Sequence, residues 1–221
     1  SEYLERIKKN QSEIFYISSD NIGRAKTSPH LEGLDSKGLE VLFFVDPIDT
    51  FWLQMVQEYE GKSFTSITKG SIDLSKFDEE NKSEDKKKKS PKGKKSKLDF
   101  AKLIEKMKED LSDNVKDVRL STKLVGSPSC LVADDVGMDV QMERIMKLHD
   151  KDFSGMPRIL ELNEDHEFLI KLHKLHSDSP DSIKDAAFML LDQAKIMEGQ
   201  MPSDLAEFSR RLTFFMNKSL P

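Results

Sequence analysis

Apolar and polar positions in the first part of the chain follow the order strand, helical crossover and strand. The run EIFYIS predicts a short buried strand, and NIGRAKTSPHLEGLDSKG predicts a helical crossover that ends at Gly38. The nearly continuous apolar run LEVLFFVD, residues 39–46, predicts a second strand that is covered on both faces. Because two strands joined by a helical crossover form a right-handed parallel pair, this part is predicted to be an α/β unit.

The segment PIDTFWLQMVQEYEGK, residues 47–62, predicts a helix, with Pro47 near its start and Gly61 past its end. This helix carries Phe51 and Trp52, the latter being the only tryptophan of the chain. Adjacent residues of a helix point about 100° apart, so the two rings are not expected to share one buried face. We therefore expect one of the two rings to be exposed.

Residues 75–97, SKFDEENKSEDKKKKSPKGKKSK, contain one aromatic and no β-branched residue. Such a segment buries too little apolar surface to offset the entropy of ordering it, so it predicts a charged linker. Its lysines leave open a contact with nucleic acid, since lysine runs neutralise phosphates. No aromatic residue is interleaved with them for base stacking, and a solvated linker is favoured over a nucleic-acid-associated scaffold.

The remainder of the chain mixes helical and strand patterns. The run DFAKLIEKMKEDLSD predicts an amphipathic helix. Three later runs predict strands: VKDVRLSTKL, SCLVAD and RILEL. A further helix is predicted from about Glu164 to Leu175, and two more helices end the chain. This part is therefore predicted to be α+β.

The segment GMDVQMERIMKLHD, residues 137–150, predicts a helix with a methionine-rich face. Met138, Met142 and Met146 are spaced four residues apart, and Ile145 lies beside them. The opposite face is polar and consists of Asp139, Gln141, Glu143, Arg144 and Lys147. Methionine fills irregular space in protein cores, but it also forms surfaces that adapt to many apolar partners. The pattern alone leaves both interpretations open.

Each of the last two predicted helices carries one apolar stripe. The first stripe contains Ile183, Ala186, Ala187, Leu190, Leu191, Ala194 and Met197, and the second contains Leu205, Phe208, Leu212 and Phe215. Two helices form only a hairpin with an open side, and a second copy of the hairpin would close it into a four-helix bundle. The alternative is that both stripes belong to the core of one protomer.

The charge distribution and the cysteine content indicate the kind of cellular compartment in which the chain works. The net charge of −5 combines +7 on residues 82–97, which hold nine lysines, Glu84 and Asp85, with −12 on the rest of the chain. Cys130 is the only cysteine, which excludes an internal disulfide and favours a reducing compartment. No apolar run approaches the roughly 20 residues that a membrane-spanning helix needs.

The sequence contains few residue patterns that would indicate a catalytic site. The triplet GKS at 61–63 follows a predicted helix and lacks the earlier glycine of a phosphate-binding loop. His166, His173 and His176 match no metal-ligand spacing and are expected to be solvated or partly packed. Cys130 lies in a strand-like run without a basic neighbour, as expected for a buried apolar side chain.

Several ordered segments resemble the ninety-kilodalton heat-shock protein chaperones, most closely those of the bacterial HtpG type. The similarity covers nearly the whole chain and is carried by YLERIKKNQSEIFYISSDN, AKTSPHLE, KGLEVLFFVDPIDTFWLQMVQEYEGKSF, VKDVRLSTKLVGSPSCLVAD, MERIMK, LELNEDH and LLDQA. The resemblance implies a partial α/β middle domain at 1–74 with a short parallel sheet and helices, and a Lys-rich linker at 75–97. It implies an α+β dimerisation domain at 98–221 that ends in a helical bundle.

The resemblance also implies site residues. In this family an amphipathic helix contacts unfolded or partly folded client proteins, and its apolar positions correspond to Met138, Met142, Ile145 and Met146. A client-contacting tryptophan of the middle domain corresponds to Phe51, with Trp52 one residue further on. The last two helices correspond to those that form the homodimer, and the residues implied are Ile183, Ala187, Leu190, Leu191, Ala194, Met197, Leu205, Phe208, Leu212 and Phe215.

The resemblance further implies that ATP and Mg²⁺ bind to an ATPase domain upstream of this chain. We therefore expect no catalytic residue, metal or cofactor within residues 1–221. The chain ends in FFMNKSLP, without the acidic tail of the eukaryotic cytosolic members, which favours a protein of the bacterial cytoplasm. Neither a membrane nor a nucleic acid is expected as a partner.

Overall fold

A computed structural model describes residues 2–70, 72–77, 98–134, 137–150, 153, 155–175 and 180–219. Within these residues, helices α1 to α9 span Glu2–Arg6, Ile22–Lys26, Glu32–Ser36, Pro47–Met55, Ala101–Asp110, Val140–His149, Glu167–Leu175, Pro180–Met197 and Leu205–Ser219. Strands β1 to β7 span Glu13–Ser18, Leu42–Phe44, Glu58–Tyr59, Lys62–Ser66, Asp117–Leu120, Ser129–Val132 and Ile159–Leu162. No helix of these described residues has the length and apolar character needed to cross a membrane.

The first sheet has the strand order β2–β1–β4–β3. Strand β1 is parallel to β2, with Tyr16 opposite Leu42, and also parallel to β4, with Glu13 opposite Ser63. The predicted parallel pair is therefore confirmed. The prediction that 39–46 is covered on both faces is wrong, because β2 lies at the edge of the sheet and its three residues are only half-buried.

The helix predicted from Pro47 to just before Gly61 is too long. Helix α4 ends at Met55, and the residues after it form the antiparallel hairpin β3–β4. Its turn has positive φ at both Glu60 (49°) and Gly61 (73°), the backbone twist that suits a two-residue hairpin. Gly61 therefore serves this turn and does not end a helix.

Residues 78–97 of the predicted linker lie outside the described residues. Phe77, near the start of the predicted linker, is fully buried and packs edge-to-face on Phe15 with ring centroids 6.5 Å apart. It belongs to the first hydrophobic core, together with Leu34 and Ile67. The first folded unit therefore extends to at least Phe77.

The second sheet has the order β5–β7–β6, with β7 parallel to β5 and antiparallel to β6. All residues of β6 and β7 are buried, and helices α5, α7 and α8 contribute to the core around them. The helices and strands predicted for this part are confirmed in type and order.

Helix α8 lies inside this second core. Five residues of its predicted dimerisation stripe are at most 2% exposed in the single chain: Ile183, Ala187, Leu190, Leu191 and Ala194. They pack with residues of α5, β6 and α7, such as Leu103, Leu131 and Leu169. The expectation that α8 offers these five residues to a second copy is wrong, because the rest of the domain already closes the open side of the α8–α9 hairpin.

The two sheets and their cores belong to units that contact one another directly. The buried Nζ of Lys123 donates a hydrogen bond to the carbonyl oxygen of Ile67 at 2.9 Å. The Glu32 carboxylate accepts hydrogen bonds from the backbone N–H groups of Val125 and Gly126, both at 2.7 Å. A side chain at Gly33 would overlap the backbone around Lys123. The contacts of Glu32 and Gly33 hold α3 against the loop that precedes β6, and the Lys123 bond holds the same loop against the segment after β4.

Candidate functional site

Helix α6, which carries the methionine-rich face, begins at a carboxylate that also ties it to the first sheet. The Oδ1 atom of Asp139 accepts a hydrogen bond from the backbone N–H of Gln141 at 3.1 Å, as an N-cap does. Its Oδ2 atom accepts hydrogen bonds from the hydroxyls of Ser66 at 2.7 Å and Thr68 at 3.3 Å. One side chain therefore starts the helix and fixes its position relative to β4.

The polar face of α6 is turned inward. Gln141 and Glu143 are buried, and the Glu143 carboxylate forms ion pairs with Arg158 and Lys147, each at 3.0 Å. Arg158 is itself buried and also pairs with Glu198 at the end of α8. The opposite charges pair within the domain, which offsets the cost of burying them, although the Oε1 atom of Glu198 has no hydrogen-bond partner among the described residues.

Arg144 extends the same network to the first unit. Its guanidinium lies 3.2 Å from the Asp20 carboxylate and donates a hydrogen bond to the carbonyl oxygen of Glu198. Asp20 is also paired with Arg24, at the start of the chain's helical crossover. The polar face of α6 is thus held from both units.

Burial changes the pKa of both carboxyl groups of the network, Glu143 and Glu198, but the net shifts have opposite directions. Burial by itself raises the pKa of Glu143, yet Arg158 and Lys147 outweigh it, and this pKa is lowered. Burial also raises the pKa of Glu198, and there it outweighs the opposing effect of Arg158 and Arg144. The ionised form of Glu143 is therefore the one that stabilises the position of α6.

The loop before β7 approaches this network at Gly155. Its φ of 84° is a conformation that residues with a side chain rarely adopt. A Cβ atom there would overlap the Glu143 carboxylate and lie 2.7 Å from the Lys147 Nζ atom. Glycine at this position allows the loop to cover the ion pair.

The apolar face of α6 lies outside both hydrophobic cores and is partly accessible to solvent. Met142, Ile145 and Met146 are half-buried, Met138 is exposed, and Leu148 is 83% exposed. Within the part of the chain that the structure describes, Met142, Ile145 and Met146 are not among the side chains that pack against either hydrophobic core. The core-helix interpretation is therefore wrong, since the residues that α6 buries are Val140, Gln141 and Glu143.

The rings of Phe51 and Trp52 have different environments. The Trp52 ring packs edge-to-face between Phe44 and Phe64, with centroid distances of 5.4 and 5.8 Å. Its Nε1 atom donates a hydrogen bond to Asp49 Oδ1 at 3.0 Å. Phe51 is 48% exposed. The expectation that one ring is exposed is confirmed, and the exposed ring is Phe51.

Helix α4 and the start of α6 line the same cleft. Thr50 and Leu53 contribute from α4, Met138 and Asp139 contribute from the residues just before Val140, and Tyr16 of β1 also lines the cleft. Of the predicted client-contacting residues, Met138 lines this cleft, whereas Phe51, Trp52, Met142, Ile145 and Met146 do not. Ile48, Met55 and Leu148 are also exposed, although sequence reasoning did not single them out.

The predicted dimerisation residues outside the α8 core lie at or near the surface. Leu205, Leu212 and Met197 are exposed, while Phe208 is half-buried. Phe215 packs on Phe168 with ring centroids 5.8 Å apart. Met216, which sequence reasoning missed, is exposed four residues after Leu212 and therefore on the same face of α9.

The groups considered for chemistry have structural contacts. His166 Nδ1 accepts a hydrogen bond from the Phe168 N–H at 3.1 Å, and His173 packs on Phe100 with centroids 5.0 Å apart. His176 lies outside the described residues. Burial raises the pKa of the Cys130 thiol, as for an unreactive core cysteine. Among the described residues, no group of three histidine, cysteine or acidic side chains is placed to hold a metal ion.

Comparisons with known proteins agree with the sequence resemblance. The family model described as Hsp90 protein matches residues 1–221. The chain is 43% identical to the chaperone protein HtpG of Roseobacter denitrificans, over 100% of this chain and 35% of that protein. It is 39% identical to the HtpG of Paramagnetospirillum magneticum, with 100% and 35% covered, and 38% identical to that of Mycobacterium bovis, with 100% and 33% covered.

The chain spans about a third of the length of these curated relatives. The similarity extends over both folded units, including the edge strand β2, helix α4 and helix α6. The chain therefore belongs to the Hsp90 family of chaperones and is of the bacterial HtpG type.

Proposed function

We propose that this chain binds non-native client polypeptides through the apolar face of α6. The observation that carries this proposal is the orientation of the helix: Glu143 is buried and paired, while Met138 is exposed and Met142, Ile145 and Met146 are half-buried outside both hydrophobic cores. Exposed apolar surface of this kind usually marks a site of interaction. Methionine suits a surface that must accept many sequences, because its unbranched side chain adapts to different apolar partners.

We propose in addition that the chain forms a homodimer through α9 and the end of α8. The exposed apolar residues Leu205, Leu212 and Met216 recur along one face of α9, and Met197 is exposed at the end of α8. Two copies of this face related by a two-fold axis would cover one another. Ion pairs of Arg210 and Arg211 with Asp185 fix α9 against α8, which would present a rigid face to the partner.

In the whole protein, this dimer would belong to an ATP-driven clamp in the bacterial cytoplasm. ATP hydrolysis elsewhere in the protein would change the distance between two client-binding surfaces, one on each protomer. The dimer contact would keep the two surfaces at a high effective concentration. No residue of this chain is assigned to ATP or Mg²⁺.

The double substitution of Met142→Ser and Ile145→Ser tests client binding. We expect the affinity for reduced, carbamidomethylated ribonuclease A to fall about tenfold, because two apolar contacts worth together about 1.4 kcal/mol would be lost. The free energy of unfolding should change by less than about 1 kcal/mol, since neither side chain packs in a core. Fluorescence anisotropy and urea denaturation measure the two quantities.

A control pair, Leu98→Ser with Leu175→Ser, removes two exposed apolar side chains elsewhere on the surface. This pair should leave ribonuclease binding unchanged. Equal loss of affinity in both double variants would indicate nonspecific adhesion to apolar surface. Unchanged affinity in the Met142→Ser, Ile145→Ser variant would show that α6 is not the client-binding surface.

A further inference from the structure

The outer side of α4 and the hairpin that follows it form an exposed apolar surface larger than the Phe51 ring. Ile48 is 62% exposed and Met55 is 84% exposed, at positions i−3 and i+4 relative to Phe51. Val45, Val56 and Tyr59, which flank the helix in sequence, are also exposed. We call these six residues the α4 surface.

The α4 surface is held in place by packing on its inner side. Trp52, wedged between Phe44 and Phe64, anchors the helix to the sheet. At the N-terminus, Asp46 Oδ1 accepts the Ile48 N–H at 3.0 Å, and Asp49 Oδ2 accepts the Asp46 N–H at 3.2 Å. This reciprocal capping box fixes the first turn. The apolar side chains are therefore exposed from a defined helix.

The charge around the α4 surface is mainly negative, although Lys69 lines the cleft on the Thr50 and Leu53 side of α4. Residues 39–61 contain five carboxylates and no lysine, arginine or histidine. Glu40 is paired with Arg6 at 2.8 Å, which leaves Asp46, Asp49, Glu58 and Glu60. The lysine that follows, Lys62, donates to the carbonyl oxygen of Gln11 at 2.6 Å. Four carboxylates, two of them in the capping box, and one lysine opposite Tyr59 therefore border the exposed apolar surface, which leaves an excess of negative charge.

We propose that the α4 surface binds apolar segments of non-native polypeptide that are flanked by lysine or arginine. The apolar side chains would supply contact area, and the carboxylates would attract the flanking basic groups. A second copy of this surface would bring like charges together, and nucleic acid or an anionic membrane would be repelled. This inference rests on the proposed client binding and specifies which client segments the chain prefers.

Three fluorescent peptides with one shared apolar core and flanks of lysine, serine or glutamate test this preference by anisotropy. We expect the lysine-flanked peptide to bind about tenfold more tightly than the glutamate-flanked one at about 0.02 M salt. The difference should shrink severalfold at about 0.5 M salt, because exposed charges are screened. Replacing Ile48 and Met55 by serine should weaken the binding of the lysine-flanked peptide at both salt concentrations.

The variant that combines Glu58→Gln and Glu60→Gln isolates the contribution of charge. It should reduce the preference for lysine flanks while the serine-flanked peptide binds as before. The matched control, Glu2→Gln with Glu5→Gln, removes two exposed carboxylates from α1 and should keep the full preference.

Equal binding of the three peptides, with loss of binding on changing Ile48 and Met55, would overturn the charge preference and leave client binding intact. Unchanged peptide binding in the Ile48→Ser, Met55→Ser variant would show that the peptides bind elsewhere, and would overturn the assignment of the α4 surface as their binding site. Failure of all peptides while ribonuclease binds normally would also overturn it. Failure of both the peptides and ribonuclease would reject the proposed function itself.

Discussion

Replacing both Leu212 and Met216 by aspartate should convert the proposed homodimer into monomers while the chain stays folded. Both side chains are exposed on one face of α9, where aspartate is tolerated in the free chain. In a dimer the same positions would place charges without partners in a buried seam, at a cost of several kcal/mol. Sedimentation equilibrium measures the mass, and circular dichroism reports the helical content.

The matched control is Thr213→Asp with Asn217→Asp, which adds the same charges one position along α9. These residues are exposed and lie about 100° around the helix from the apolar face, so this variant should stay dimeric. A Leu212→Asp, Met216→Asp variant that sediments as a dimer would show that the interface lies elsewhere. Leu191→Asp is unsuitable for this purpose, because Leu191 is in the core and aspartate there should unfold the domain.

Replacing Arg158 by methionine should lower the free energy of unfolding at neutral pH by about 3–5 kcal/mol. The substitution leaves the buried Glu143 and Glu198 carboxylates without the guanidinium that pairs with both. Urea denaturation measures the loss. As a control, Arg6→Met breaks the Arg6–Glu40 pair, whose side chains are about half exposed, and should have a much smaller effect.

The loss caused by Arg158→Met should depend on pH. In the unsubstituted chain the lowered pKa of Glu143 stabilises the fold above the unfolded value of about 4.3, and this contribution fades as the pH falls through the lower folded value. Without Arg158, burial raises the pKa, and the ionised carboxyl destabilises the fold at neutral pH. The difference between the two proteins should be largest near pH 7 and shrink below about pH 4. A constant difference would contradict this explanation.

Local patterns were enough to predict most elements. EIFYIS matches β1, and SCLVAD and RILEL contain β6 and β7, because runs of buried apolar residues bounded by turns identify short strands. The β3–β4 hairpin was missed because Glu60-Gly61 after a helical pattern resembles a helix end. Only the pairing of β4 with β1, which is distant in sequence, distinguishes the two.

The orientation of α6 could not be predicted from the sequence of the helix alone. A polar face opposite an apolar one ordinarily lies in solvent. Here Arg158 and Glu198, remote in sequence, supply the partners that allow Glu143 and Arg144 to face inward. The burial of the α8 stripe within one chain could not be predicted either, because a stripe that packs within a chain has the same periodicity as one that packs between two copies.

The methyl resonances of the methionines give the most direct test of client binding by the apolar face of α6. On addition of reduced, carbamidomethylated ribonuclease A to the ¹³C-methyl-methionine-labelled chain, the signals of Met138, Met142 and Met146 should shift or broaden. The signal of Met107, fully buried in the second core, should stay unchanged and serves as the internal control. Binding of ribonuclease with the Met142 and Met146 signals unmoved would contradict the assignment of α6 as the client-binding surface.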